Sequence, residues 1–142
     1  MRLCDVNVLL AAHRADHQHH EVATRCMDTL RAGPEPVAWS ELVLSAVVRI
    51  ATTSVFTTPS TVAQVMSYVD ALLATPGSLV LRPGPRHWAL FRCLVESSGA
   101  RGKLVADAYH AALALEHGCE WVTQDSDFQR FSDLRCCHPA RV

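Results

Sequence analysis

Between residues 103 and 116, apolar side chains return every three or four positions. Leu104, Ala108, Ala111 and Leu115 make one stripe of a helix, and Gly118 supplies the left-handed stop beyond it. Asp107 lies three residues after Leu104 and four before Ala111, so the spacing sets a carboxylate on the face that the helix should bury. An ionised carboxylate withdrawn from water must be paired, hydrogen-bonded or bound to a metal. Residues 120–123 continue as a short strand, and Asp125 and Asp127 follow at once. If that strand runs parallel to its neighbours, both acids sit at its carboxyl end, where open α/β sheets place their sites.

The same alternation recurs along the chain. Residues 2–6 read as a strand that gives way to a helix over 7–14, which puts Asp5 at the strand's carboxyl end. A second helix spans 17–32, with Val22, Cys26, Met27 and Leu30 inward and Gly33-Pro34 as its stop. Residues 36–39 form a second strand, and Ser40 is placed to cap a helix over 41–52 that is apolar almost all round and therefore expected to be buried. After a loop around Pro59, Val62, Val65, Met66, Val69, Leu72 and Leu73 define an amphipathic helix whose stripe suits a core or an oligomer surface. Residues 78–81 make a third strand, 86–98 a helix, 97–102 a loop of small residues, and 134–138 a closing edge strand ended by Pro139. Strands alternating with helices predict a three-layer α/β/α domain around a parallel sheet of about four to five strands, with residues 1–142 as a single unit.

Composition narrows the function. A formal net charge of −1 gives no basic footprint for nucleic acid. A bound cation reverses that locally, because it dominates the charge of a small acidic site. The longest apolar runs are far short of a membrane span, and Asp5 and Asn7 interrupt the N-terminal stretch, so the expectation is a cytoplasmic protein without a signal peptide. Six cysteines show neither metal-ligand nor disulfide spacing, and reduced thiols are expected. No Gly-rich loop follows the first strand, which excludes dinucleotide and P-loop sites. His13, His17, His19 and His20 crowd one helix entry; they read as a solvated cluster, with a transition-metal site as the alternative.

Four acids share the predicted mouth: Asp5, Glu41, Asp107 and Asp125. Carboxylates without His or Cys partners suit hard cations, Mg²⁺ or Mn²⁺ rather than Zn²⁺. Glu41, Ser45, Arg49 and Thr52 fall on one helical line. That line is either a solvated stripe or a polar seam in which Arg49 holds Glu41.

Asp5-Val6-Asn7, a helix opening Ser40-Glu41-Leu42 with a downstream Arg, Leu104 to Ala108, and Thr123-Gln124-Asp125-Ser126-Asp127-Phe128 together resemble the PIN domain of bacterial VapC-type toxins, through essentially the whole chain. The resemblance implies that Asp5, Glu41, Asp107 and Asp125 form an acidic quartet holding one or two Mg²⁺ or Mn²⁺ ions. Asn7 and Thr123 would be its polar supports, and Asp127 a secondary acid or merely the cap of the turn from Phe128. It implies metal-dependent endoribonuclease chemistry on structured RNA such as tRNA or rRNA, leaving a 5′-phosphate and a 3′-hydroxyl. It also implies a homodimer and a cognate VapB-type antitoxin, with the helices before Gly33 and Pro76 as candidate surfaces. Arg49, Arg101 and Lys103 are candidate phosphate contacts by proximity, while His110 and His117 are expected on the helix surface. The rival readings are a PIN nuclease of RNA maturation, a non-catalytic RNA-binding relative and a receiver-like signalling module. The last needs an acidic pair before its phosphoacceptor and a lysine after a late strand, and Lys103 instead precedes a helix.

Overall fold

The computed structural model describes all of residues 1–142. Five strands alternate with six helices: β1 (Arg2–Cys4), α1 (Val6–His13), α2 (His20–Ala32), β2 (Val37–Ser40), α3 (Glu41–Ala51), α4 (Val62–Leu73), β3 (Leu79–Leu81), α5 (His87–Ser98), α6 (Lys103–Glu116), β4 (Glu120–Val122) and β5 (Cys136–Cys137). Every pairing is parallel, and the strand order is β3-β2-β1-β4-β5. The chain therefore builds outward from β1 to β3, then returns to the other side of β1. The gap between β1 and β4 is the topological switch point, with α1 and α6 flanking it. Right-handed crossovers set α1–α4 on one face and α5–α6 on the other, and helices within each group pack on one another.

The expected three-layer order is thus present, with shifts at several ends. The second helix starts at His20, because His17 to His19 form a turn in which His17 Nδ1 accepts the His19 amide at 3.1 Å. The closing strand is cut to Cys136–Cys137, since only those residues pair with β4. The third helix is one-sided and not buried all round: Val43, Leu44, Val47 and Ala51 face inward, while Leu42 stays 47% exposed. Glu41, Ser45 and Arg49 lie on its solvated side.

Local chemistry accounts for the joints. Thr61 and Gln64 exchange hydrogen bonds in a capping box that starts α4. The Glu116 carboxylate accepts from the Gly84 and Arg86 amides at 2.7 and 2.8 Å, tying the entry of α5 to the end of α6. A Cβ at Gly84 would meet that carboxylate at 2.8 Å, so a larger residue there would push the Glu116 side chain aside. Arg14, buried at the end of α1, forms a fork with Asp16, reaches the Thr58 carbonyl and covers the Phe56 ring, which pins the loop before α4.

The core is one cluster around Trp39, Trp121, Phe128 and Phe131. His110 stacks on Trp121, Trp121 packs against Phe128, and Phe128 against Phe131. His110 is therefore not a surface residue; burial lowers its pKa to about 4, so the ring packs as a neutral group. The same aromatic chain anchors the acidic turn, because Phe128 inserts its ring directly after Asp125 and Asp127. Phe128→Ala is expected to lose about 3–5 kcal/mol in chemical denaturation, with Tyr109 and α5 left in place.

Candidate active site

Asp5 stands where β1 becomes α1. Its amide still pairs with the Val122 carbonyl at 2.9 Å, as if the strand continued, while its carboxylate caps the helix by accepting from the Val6 amide at 2.6 Å. The second carboxylate oxygen accepts from Asn7 Nδ2 at 2.7 Å and from Thr123 Oγ at 2.6 Å. Thr123 belongs to the residue run just past β4, so this bond closes the switch point from the far strand. Its hydroxyl donates to Asp5 and accepts from Asn7 Nδ2 and the Asp125 amide, both at 3.0 Å. Asn7 Oδ1 accepts from the Gln124 amide at 3.3 Å. The two predicted supports thus orient one acid and the backbone that carries another.

Asp107 faces the same mouth from α6. It is only 8% exposed, and its Oδ2 is buried with no hydrogen-bond partner. The pair with Lys103 that their four-residue spacing allows is not formed; Lys103 Nζ reaches Asp125 at 2.7 Å instead. Asp125 caps the short 3-10 turn Ser126–Arg130 by accepting from the Asp127 amide at 2.9 Å. The turn's cap is therefore Asp125 and not Asp127. Asp127 is about half exposed and faces Arg130.

Burial pushes the Asp5 carboxyl up to about 6, and the charges of Asp107 and Asp125 add to the rise against the pull of its hydrogen bonds. Burial likewise raises Asp107; the Lys103 ammonium opposes this, while Asp125 and Asp127 reinforce it. Asp125 moves the other way because Lys103 is bonded to it. Three of the predicted acids are therefore electrostatically coupled at one mouth.

Glu41 departs from the expected quartet. It is exposed and gripped by Arg82, Nε to Oε2 at 2.9 Å and Nη2 to Oε1 at 2.6 Å. Arg49, expected to hold it, makes no side-chain bond and points to solvent, because β3 brings Arg82 alongside the start of α3. Arg82 was legible by the same rule that selects Asp5 and Asp125, since it follows a strand directly. Arg101 is exposed at the entry to α6. The histidines take separate partners: His13 meets Ser60 and His20 meets the Ala11 carbonyl, while His17 and His19 stay paired in the turn before α2.

With Lys103 on Asp125 and Arg82 on Glu41, no three His, Cys, Asp or Glu side chains converge closely enough to hold a metal ion. The donor set nevertheless fits a hard cation. Asp107 Oδ2 is a buried carboxylate oxygen lacking a partner, and Asp5 is held beside it under charge repulsion.

A PIN domain model matches residues 2–134. The chain is 43% identical over 139 residues to the VapC ribonuclease Mb2897 of Mycobacterium bovis, covering 96% of this chain and 95% of the relative. Among solved structures, the toxin-antitoxin pair VapBC2 of Rickettsia felis, bound to a DNA fragment from its promoter, contains a chain that superposes with a TM-score of 0.73 at 17% identity, covering 96% and 97%. VapC20 of Mycobacterium tuberculosis, a sarcin-ricin loop cleaving toxin, superposes with a TM-score of 0.69 at 18% identity, covering 91% and 93%.

A raised carboxyl pKa means that the folded state holds its proton more tightly than the unfolded chain. Asp5 therefore adds stability below its ordinary value of 3.8, and that contribution is lost as pH rises through about 6. In EDTA, the stability of wild type relative to Asp5→Asn is expected to fall between pH 4 and pH 7 by at most about 3 kcal/mol. Urea denaturation of both proteins across that range measures it. Asp107→Asn is expected to melt higher than wild type in EDTA at pH 7, since it removes a buried charge without removing a bond.

Proposed function

The chain belongs to the PIN-domain family, as a VapC-type ribonuclease toxin of a toxin-antitoxin system, and we propose that it hydrolyses RNA phosphodiester bonds with Mg²⁺ or Mn²⁺ held by Asp5, Asp107 and Asp125. The observation that carries this reading is the unpartnered, buried Oδ2 of Asp107 in the charge field of an Asp5 whose two oxygens are fixed by three donors. When bound, one or two such ions supply Lewis-acid charge and bring the pKa of an attacking water towards neutrality. Asp5 is fixed in orientation by Asn7 and Thr123, so little of its side-chain freedom remains to be lost. Asp107 offers a free oxygen from the opposite wall. Asp125 would hold the ion in place of the Lys103 ammonium, and Lys103, 70% exposed, is positioned with Arg101 to meet a substrate phosphate. Glu41 would join these acids only if freed from Arg82, and Asp127 would assist from the rim. No nucleophilic side chain is required.

The proposed substrate is a structured cellular RNA, tRNA or rRNA, whose cleavage stops translation. The sarcin-ricin loop activity named for VapC20, a relative in fold, supports an RNA of this class. The proposed partner is a VapB-type antitoxin that covers the acidic mouth, as suits a chain whose structural neighbours come from antitoxin complexes. For the homodimer, α4 fits better than α2. Val62, Met66 and Leu73 of α4 are exposed alongside Leu79 and Val80 of β3, whereas the open side of α2 carries Glu21, Arg25, Asp28 and Arg31. No helix is long and apolar enough to cross a membrane.

Purified protein with Mn²⁺ is expected to cut RNA into fragments with 5′-phosphate ends, and EDTA to abolish the cleavage. Asp5→Asn and Asp107→Asn should each remove detectable activity, while Thr123→Val, which acts through Asp5, should lose about 10- to 100-fold. Undiminished cleavage by Asp107→Asn, or by wild type in excess EDTA, would overturn the mechanism.

A further inference from the structure

A second concavity of about 420 Å³ lies beside the acidic mouth, between the carboxyl ends of β4 and β5. Thr123 and Asp125 form the wall common to both. Because the sheet is parallel, the residues that leave β5 emerge on the same edge as those that leave β1 and β4. Gln124, Gln129, His138 and Arg141 also line the concavity.

Their hydrogen-bonding state is one-sided. His138 Nδ1 accepts from the Ala140 amide at 3.2 Å, which places the ring proton on Nε2, and that donor has no protein partner. Gln124 is held through its backbone by Asn7, yet its side-chain Nε2 is buried without a partner. The Arg141 side chain makes no hydrogen bond or ion pair, although its backbone is fixed by the His138 carbonyl at 2.8 Å. Donors without a protein acceptor, one of them cationic, thus line a cleft that Asp125 and Ser126 line as well. A solvent-exposed donor needs no explanation, but a buried amide nitrogen without an acceptor does. That nitrogen has almost no accessible surface, so the Gln124 side chain must turn into the cleft to meet a ligand; a nucleotide offers a phosphate for the guanidinium and base carbonyls or ring nitrogens for the turned amide and the imidazole. The volume lies within the range of small-ligand sites.

Building on the nuclease reading above, we propose that this cleft seats the RNA nucleotide adjoining the cleaved bond. Arg141 contacts its phosphate, and Gln124 and His138 read its base edge. The cleft is then the source of sequence preference at one position, separate from the acids that perform the cleavage.

The test uses the full-length protein and a single-stranded oligoribonucleotide library of random sequence, cleaved in Mn²⁺ and sequenced at the new ends. Gln124→Leu is expected to change the preference at a single nucleotide beside the cut and to leave the other positions as in wild type. Arg141→Ala is expected to raise KM about 10-fold at similar kcat. An independent arm measures fluorescence anisotropy of a labelled oligoribonucleotide in EDTA. There Arg141→Ala should weaken binding and flatten the salt dependence by about 0.7 in the log-log slope. Melting temperatures of both variants should match wild type within a degree or so, since neither side chain holds the fold. Unchanged cleavage preference in Gln124→Leu together with unchanged RNA binding in Arg141→Ala overturns the assignment. Loss of antitoxin capture by Arg141→Ala with RNA binding intact overturns it too, and gives the cleft to the protein partner. If wild type does not cut in Mn²⁺, the nuclease reading fails, and the anisotropy arm still decides whether the cleft binds RNA.

Discussion

Everything at the mouth of this domain follows from carboxylates held out of water at close quarters without enough counter-charge. Asp5 is locked by three donors and Asp107 is left with a bare oxygen, while the nearest cation, Lys103, serves a third acid. A fold optimised for stability alone would place an amide or an apolar side chain at Asp107. Retaining the acid is intelligible when a divalent ion is the missing partner.

The parallel sheet makes this arrangement possible. Strand order β3-β2-β1-β4-β5 opens a crevice between β1 and β4, where consecutive connections leave in opposite directions. Asp5 enters it from one strand end and Asp125 from the next, while Asp107 comes from the helix that leads into β4. The hydroxyl of Thr123 and the amide of Asn7 cross the gap, so the two strand ends are stitched together through the acid itself. Behind them, the ring of Phe128 fixes the acidic turn in the core. Structural and chemical demands therefore meet in the same few residues, and a substitution at Phe128 acts on the acids without touching substrate.

Much of this was legible in sequence because the signals were local. A carboxylate inside an apolar helical stripe marked Asp107, and strand ends marked Asp5 and Asp125. The alternation of short apolar runs with helical stripes gave the parallel sheet. The failures share a cause, which is the choice of partner among long side chains. Lys103, read as a phosphate contact, bonds Asp125, twenty-two residues away. Glu41 has Arg49 two turns away on its own helix and instead takes Arg82 from the neighbouring strand. His110 looked like a surface residue because Trp121, the ring it stacks on, is brought there only by β4 packing on α6. Helix ends misjudged by a turn, as at His17, reflect side-chain to backbone bonds that the apolar pattern does not register.

We propose that the buried acids form a binding site for a hard divalent ion. Isothermal titration of Mn²⁺ into the EDTA-treated and dialysed protein at pH 7, with Asp107→Asn alongside, tests it most directly. Wild type is expected to bind one or two ions saturably, and the variant to lose this binding. Equal binding by both proteins, or none by wild type, would contradict it.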